Sequence, residues 1–418
     1  MDNINQTRIC EILEKENKWW KGDIKLEFKP REIYEEIKKF LKTRQIIALT
    51  GLRRVGKTTL MLKIAEDSLQ KFGRRNVIYF SFDEFRRTRI DEVMDIYSSL
   101  LAKDLERENY LFLFDEVQKI KDWEEQIKRI YDLYPKIKLV LSGSESLFIK
   151  KKSRESLTGR MFEFQIKPLN FREYLLFKNK EFDNFLLYQK ELLKEFHSFL
   201  LDNGFPEIIN EEEEVIEKYV KENIIEKIIY RDIPEIFPMR EPSALEQLFK
   251  IILSDPGEIV NLDDLSRELG LSRQTVSLYL DYLEKSFLIK KLYNFSRSAR
   301  KTQRKFKKYY PTILLPETVK KNELFGKVFE TVMVLQLEAD FFWRDAYKNE
   351  VDVIKLTDEE ILPIEIKSAK IELKPLKLFL KKFKISKGLV LTYDKKEEID
   401  EIEVVPFYEF FLKKLPLP

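Results

Sequence analysis

Gly51-Leu52-Arg53-Arg54-Val55-Gly56-Lys57-Thr58 constrains this chain more than any other segment. It satisfies the spacing G-x-x-x-x-G-K-[ST] in full. It follows the apolar run Gln45–Thr50 and precedes the helical pattern Thr59–Glu66, so it turns a strand into a helix. Glycines at both ends let the backbone curl until successive amides point at one centre, and the helix start adds its positive dipole end. Such a centre suits a polyphosphate. Lys57 would reach the β- and γ-phosphates, Thr58 would ligate Mg²⁺, and Thr59 completes the set that approaches the nucleotide. A chance Gly-Lys turn would not explain the strand before the loop and the helix after it.

The surrounding pattern agrees. Gln45–Thr50, Asn76–Phe82, Tyr110–Phe114 and Lys138–Ser142 are nearly all apolar, as strands covered on both faces are. They alternate with amphipathic helices, which predicts an α/β fold with a parallel sheet. Met161–Ile166 alternates in polarity and reads as an edge strand. Tyr110–Phe114 ends in Asp115 and Glu116, at the strand end where ligands of open parallel sheets bind. Asp115 is expected to hold Mg²⁺ and Glu116 to polarise the attacking water. Ser142 and Ser144 end the next strand, at the place of a γ-phosphate sensor. Arg160 would offer positive charge to the transition state, from its own subunit or a neighbour.

Composition narrows the remaining chemistry. One cysteine (Cys10) excludes a disulfide framework, and one histidine (His197) makes histidine metal sites and histidine-based nucleophilic catalysis improbable. The 76 basic residues nearly balance 73 acidic ones, so any nucleic-acid surface must come from local clustering. No basic-then-apolar leader opens the chain and no apolar run approaches membrane-spanning length, which predicts a cytoplasmic protein with no membrane partner.

Asn261–Leu269, Gly270-Leu271 and Ser272–Phe287 read as helix, tight turn, helix, with Ser272 as amino-terminal cap. The second helix would present Arg273, Gln274 and Ser277 to a major groove. A basic strip follows: Arg297, Arg300, Lys301, Arg304, Lys305, Lys307 and Lys308, interleaved with aromatics and suited to a phosphate backbone. The same composition also fits a solvated face or a protein interface. Further on, Glu365 and Lys367 alternate onto one face of a strand. With Asp352 from its neighbour they would form a centre for a second divalent ion, Mg²⁺ or Mn²⁺, with Glu330 as an added carboxylate. A pair of strands with solvated charged edges is the plainer alternative.

The segments GLRRVGKTT, FLFDEVQKIKDWEE, LSGSES and SLTGRMFEFQIKPLNFREYL resemble an archaeal and bacterial ATPase family of the AAA+ class, related to the STAND ATPases. Its members carry a DUF4143-type carboxy-terminal region. The resemblance continues through GFPE and YRDI. It implies a helical extension over 1–30, a P-loop AAA+ core over 31–168 and a helical lid over 169–245. A winged helix-turn-helix with the basic strip would span 246–310, and a restriction-endonuclease-like α/β domain 311–418. It also implies that Pro206, in Gly204-Phe205-Pro206, meets the nucleotide, and that Asp352, Glu365 and Lys367 correspond to a PD-(D/E)xK motif. The expected function is ATP binding and hydrolysis coupled to DNA binding and metal-dependent cleavage, in an assembly of several copies. The alternative is a nucleotide-switched signalling or scaffold protein whose carboxy-terminal region binds a partner, or DNA, without cutting it.

Overall fold

The computed structural model describes residues 3–22, 24–143, 157–239, 241–304, 306–357, 360–399 and 401–413. The chain forms two compact units, Met1–Lys167 and Pro168–Pro418.

In the first unit, β1 (Ile46–Thr50), β2 (Val77–Ser81), β3 (Tyr110–Asp115), β4 (Ile137–Ser142) and β5 (Met161–Gln165) form a sheet in the order β2-β3-β4-β1-β5. Every pairing is parallel. The inner strands β1, β3 and β4 are buried along their whole length, which accounts for their unbroken apolar runs. β5 lies at the edge, as its sequence predicted, but its burial does not alternate strictly: Phe162 and Glu163 are both exposed. Because β1 lies beside β4, and β4 beside β3, the carboxyl ends of these three strands open side by side.

The other edge, β2, is covered by the amino-terminal segment. Helix α1 (Asn3–Glu16) ends at the buried Asn17, whose side chain pairs with both backbone groups of Tyr79: Tyr79 N donates to Oδ1 at 2.7 Å and Nδ2 donates to Tyr79 O at 2.9 Å. The indole nitrogens of Trp19 and Trp20 both donate to Val77 O, at 2.9 and 3.0 Å. An edge strand's free backbone groups are thereby satisfied rather than left open to another chain. Helix α2 spans Glu32–Phe40 and α3 spans Lys57–Phe72.

The second unit holds an eight-stranded mixed sheet in the order β12-β13-β11-β10-β9-β8-β6-β7. Its members are β6 (Ile289–Asn294), β7 (Lys307–Pro311), β8 (Phe341–Arg344), β9 (Glu350–Leu356), β10 (Ile361–Lys367), β11 (Gly388–Thr392), β12 (Glu397–Ile399) and β13 (Ile402–Pro406). One core joins Val328, Phe329 and Val332 of the helix Phe325–Gln336 to Ile364, Ile366, Leu389 and Leu391. A second joins Leu376, Phe379 and Phe383 of the helix Lys374–Phe383 to Trp343, Val390 and Val404.

Two features depart from the sequence expectation. The boundary expected at residue 310 does not separate two sheets, because β6 pairs with β7 on one side and with β8 on the other. Within the helical stretch before the sheet, Tyr219–Ile225 and Ile228–Asp232 are wound as π-helix, a local widening that helical periodicity does not reveal.

Candidate nucleotide site and carboxylate centre

The loop Gly51–Thr58 lies between β1 and α3, as its spacing requires. Gly51 has φ of +136°, and a Cβ there would fall 2.1 Å from the Ile166 carbonyl oxygen, so no other residue fits without moving β5. Gly56, at φ +95°, caps α3 in the left-handed region. Lys57 is buried, and its ammonium donates to Gly51 O at 3.1 Å and Leu52 O at 2.8 Å. The Arg31 guanidinium holds the outside of the curl, donating to Val55 O at 3.0 Å and to Lys167 O at 2.8 Å. Leu52 and Val55 are buried, whereas Arg54, Thr58 and Thr59 are exposed, with Arg53 between the two.

Asp115 is the hub beside this loop. Its Oδ2 accepts from the Thr58 hydroxyl at 2.7 Å and from the Tyr79 hydroxyl at 2.9 Å, while the Ser142 hydroxyl hydrogen-bonds Oδ1. Ser142 is therefore committed to orienting Asp115. Glu116 adopts a left-handed backbone, φ 57°, which turns its side chain away from the strand register. Its carboxylate accepts from Gln118 Nε2 at 2.8 Å. Burial raises the Glu116 carboxyl above its ordinary range; nearby Lys57 opposes this and Asp115 reinforces it.

The residues fit a magnesium nucleotide. A curl closed to a Cβ at Gly51, an ammonium on the loop and a hydroxyl–carboxylate pair at 2.7 Å make the donor set that a triphosphate and its Mg²⁺ require.

One expected member is placed elsewhere. Arg160 precedes β5, whose Met161 lies opposite Ile46 at the amino end of β1. The full length of β1 thus separates Arg160 from the loop of its own chain, and its guanidinium pairs with Asp132 at 3.2 Å. Ser144 lies outside the described residues. Pro206 belongs to the second unit, where it opens the short turn Pro206–Ile208. Sequence reading missed Arg31, Asn17 and Tyr79. Only Tyr79 left a signal, since it shares strand parity with Ser81, the register partner of Asp115.

In the second unit, β9 and β10 are antiparallel neighbours, with Val353 opposite Ile364, and this brings Asp352 to Glu365 and Lys367. The Lys367 ammonium lies 3.1 Å from Asp352 Oδ2 and 2.7 Å from Glu365 Oε1. Ile366 N also donates to Asp352 Oδ2, at 2.8 Å. Glu365 Oε2 is buried without a hydrogen-bond partner. Burial, and then the Asp352 charge, push the Glu365 carboxyl up to about 8.

Glu330 does lie on the expected helix, but it is engaged by residues assigned to the basic strip. Tyr310 OH donates to Glu330 Oε1 at 2.6 Å, and Lys308 Nζ sits 3.2 Å from the same atom and 2.6 Å from Glu350 Oε1. Lys308 is buried and cannot meet a phosphate backbone. In β7, Lys308 and Tyr310 alternate onto the same side, a strand signal hidden within what reads as a charge run. Among the described residues no three carboxylates, cysteines or histidines group closely enough to hold a metal ion, so the set Glu330, Asp352 and Glu365 is not a preformed site. The two ammonium groups occupy the space between the carboxylates.

The helix Leu262–Leu269 and the helix Arg273–Lys285 are joined through Gly270, which ends the first in a left-handed turn, and Ser272, which caps the second by accepting from Thr275 N. Arg273, Gln274 and Ser277 are exposed at the start of the second helix. Arg300 and Lys301 are exposed too, while Arg297 is exposed but donates to Phe383 O at 2.7 Å. Lys307 is half-buried. Lys305 and the side chain of Arg304 lie outside the described residues.

Residues 43–175 match the family described as an AAA domain, and the first unit accordingly carries an AAA-type ATPase domain. Residues 193–312 and 325–410 match two families described as domains of unknown function, DUF8612 and DUF4143. Two uncharacterized proteins of Methanocaldococcus jannaschii are 28% and 27% identical to the chain, over 92% and 90% of it and 92% and 87% of their own lengths. An uncharacterized protein of Haemophilus influenzae is 25% identical over 80% of the chain and 86% of its own. The solved Bacillus subtilis DNA clamp loader delta protein aligns with 73% of the chain and 99% of its own at 15% identity, with a TM-score of 0.27. Among the described residues no helix is long and apolar enough to cross a membrane.

Proposed function

We propose that the protein hydrolyses ATP with Mg²⁺ and uses the nucleotide state to control a DNA-binding second unit. The observation that carries the first half is the Thr58–Asp115 hydrogen bond of 2.7 Å beside a loop that admits only glycine at position 51. Loop amides and Lys57 would bind the β- and γ-phosphates. Thr58 and Asp115 would hold the cation, whose chemistry when bound is to neutralise charge on the phosphates. Ser142 and Tyr79 keep the Asp115 carboxylate oriented. Glu116, held by Gln118, would take the proton of the attacking water, and its raised affinity for a proton suits that task. The reaction transfers the γ-phosphoryl group to water, releasing ADP and phosphate. An arginine acting in trans, Arg160 of a second copy, remains part of the proposal, as does an approach of Pro206 to the nucleotide.

For the second unit we propose a winged helix-turn-helix that contacts DNA through Arg273, Gln274 and Ser277, with Arg297, Arg300, Lys301, Arg304, Lys305 and Lys307 on the backbone. A restriction-endonuclease-like region would follow. The second reading, a nucleotide switch that binds without cutting, is favoured at one point: Lys308 pairs with Glu330, and Lys367 with Asp352 and Glu365, the carboxylates that a catalytic metal would need. ATP hydrolysis by wild type and Lys57→Ala, with and without duplex DNA, tests the proposal, with DNA products read from the same tubes. Hydrolysis that survives Lys57→Ala would contradict the first half. DNA affinity insensitive to salt, or absent, would contradict the second.

A further inference from the structure

Glu16 is the last residue of α1, where the helix's free carbonyls already carry partial negative charge. A carboxylate there is unfavourable, and its surroundings add to the cost. Asp115 is an electrostatic neighbour of like charge. Glu16 Oε2 is buried and makes no hydrogen bond. The carboxylate does accept from the Ser81 backbone, at the carboxyl end of β2, and Ser81 is the register partner of Asp115.

The backbone that follows it is held in place. Asn17, next in sequence, is clamped to both backbone groups of Tyr79, and Trp19 and Trp20 are tied to Val77 O. The Tyr79 side chain in turn donates to Asp115. The amino-terminal segment is thus fixed to the strand whose end borders the Thr58–Asp115 pair, and it brings there a carboxylate with one buried, unpartnered oxygen. The Ser81 backbone and the Lys15 charge offset part of this cost but leave Oε2 without a partner. Where a local electrostatic rule is broken in this way, a ligand that supplies the missing partner is the physical expectation.

We propose that Glu16 is a positioning residue of the nucleotide site: it accepts hydrogen bonds from the water shell of the divalent cation that Thr58 and Asp115 would hold. The proposal rests on the reading of the first unit as a magnesium-dependent ATPase. It makes the amino-terminal helix a working part of the site as well as a cover for the sheet edge.

The test compares wild type, Glu16→Gln and Glu16→Asp in the full chain. The affinity of a fluorescent ATP analogue is measured in Mg²⁺ and in EDTA, alongside thermal unfolding without nucleotide and the Mg²⁺ concentration that half-saturates hydrolysis. Loss of an outer-sphere carboxylate should leave binding in EDTA unchanged and raise the half-saturating Mg²⁺ concentration roughly tenfold. Glu16→Gln should unfold at the wild-type temperature or above, and Glu16→Asp should restore part of the Mg²⁺ response. An unchanged Mg²⁺ dependence in Glu16→Gln would overturn the proposal. So would equal losses with and without Mg²⁺ together with a lower unfolding temperature, which mark a purely structural role. If wild type itself shows no Mg²⁺-dependent binding, the ATPase reading falls and takes this proposal with it.

Discussion

The hydroxyl of Thr58 and the carboxylate of Asp115, far apart in sequence, share a hydrogen bond of 2.7 Å. One comes from the start of α3 and the other from the tip of β3, so only the parallel sheet brings them together. Both are oxygen groups suited to a hard cation, and both stand beside the Lys57 ammonium that would meet the phosphates.

Tyr79 is the least expected partner of that pair, since its hydroxyl donates to the Asp115 oxygen that Thr58 also uses. Tyr79→Phe removes one donor and keeps the ring. Hydrolysis should fall several-fold while stability changes by about 1 kcal/mol, the usual net value of one hydrogen bond. Steady-state kcat alongside urea unfolding checks both.

Gly51→Ala should be far more damaging than its size suggests. The new methyl would lie 2.1 Å from Ile166 O, and the φ of +136° is strained for any L side chain. We expect a loss of roughly 2 kcal/mol or more from the first unit. Chemical denaturation followed by Trp19 and Trp20 fluorescence reads it.

Lys308 and Lys301 stand close in sequence but should behave in opposite ways. Lys308→Met leaves Glu330 without its cation in a buried place, and Glu350 with Arg344 alone, and should cost about 3–5 kcal/mol. Lys301→Ala, at an exposed position, should leave stability unchanged and weaken DNA binding, with a shallower salt dependence. Melting curves and fluorescence anisotropy across a salt series separate the two.

Asp202 supplies a pH signature in the second unit. Burial raises its carboxyl from 3.8 to about 7, although Gly204 N and Tyr174 hydrogen-bond to it. Between those values the folded state holds a proton that the unfolded state has released, so the contribution of Asp202 to stability falls as pH rises from about 4 to 7. The full effect is on the order of 4 kcal/mol. Asp202→Asn, which keeps an acceptor for Gly204 N, should flatten this slope and unfold later than wild type at pH 7. Unfolding temperature as a function of pH measures it.

The legible parts of the molecule were those written locally. β1, β3 and β4 announce themselves because strands buried on both faces must be apolar throughout. The Gly51–Thr58 loop was legible because its spacing is dictated by backbone geometry. The helix–turn–helix could be read from Asn261, Gly270 and Ser272, each at a cap or turn that favours its type. Lys308 could not be read, because its burial depends on Glu330 and Glu350, which arrive from distant helix and strand positions. The separation of Arg160 from the loop of its own chain could not be read either: its place before β5 follows from the register of β5 against β1, which no local pattern records. The clamp of Asn17 on Tyr79 is likewise a tertiary event with no motif of its own.

The most direct test of the nucleotide site is calorimetric titration of a non-hydrolysable ATP analogue into wild type, Lys57→Ala and Asp115→Asn, with and without Mg²⁺. The loop and the Thr58–Asp115 pair predict tight binding to wild type that strengthens with Mg²⁺. Lys57→Ala should bind weakly in both conditions, and Asp115→Asn should lose the Mg²⁺ enhancement alone. Equal binding by all three proteins, whatever the Mg²⁺ concentration, would contradict the account.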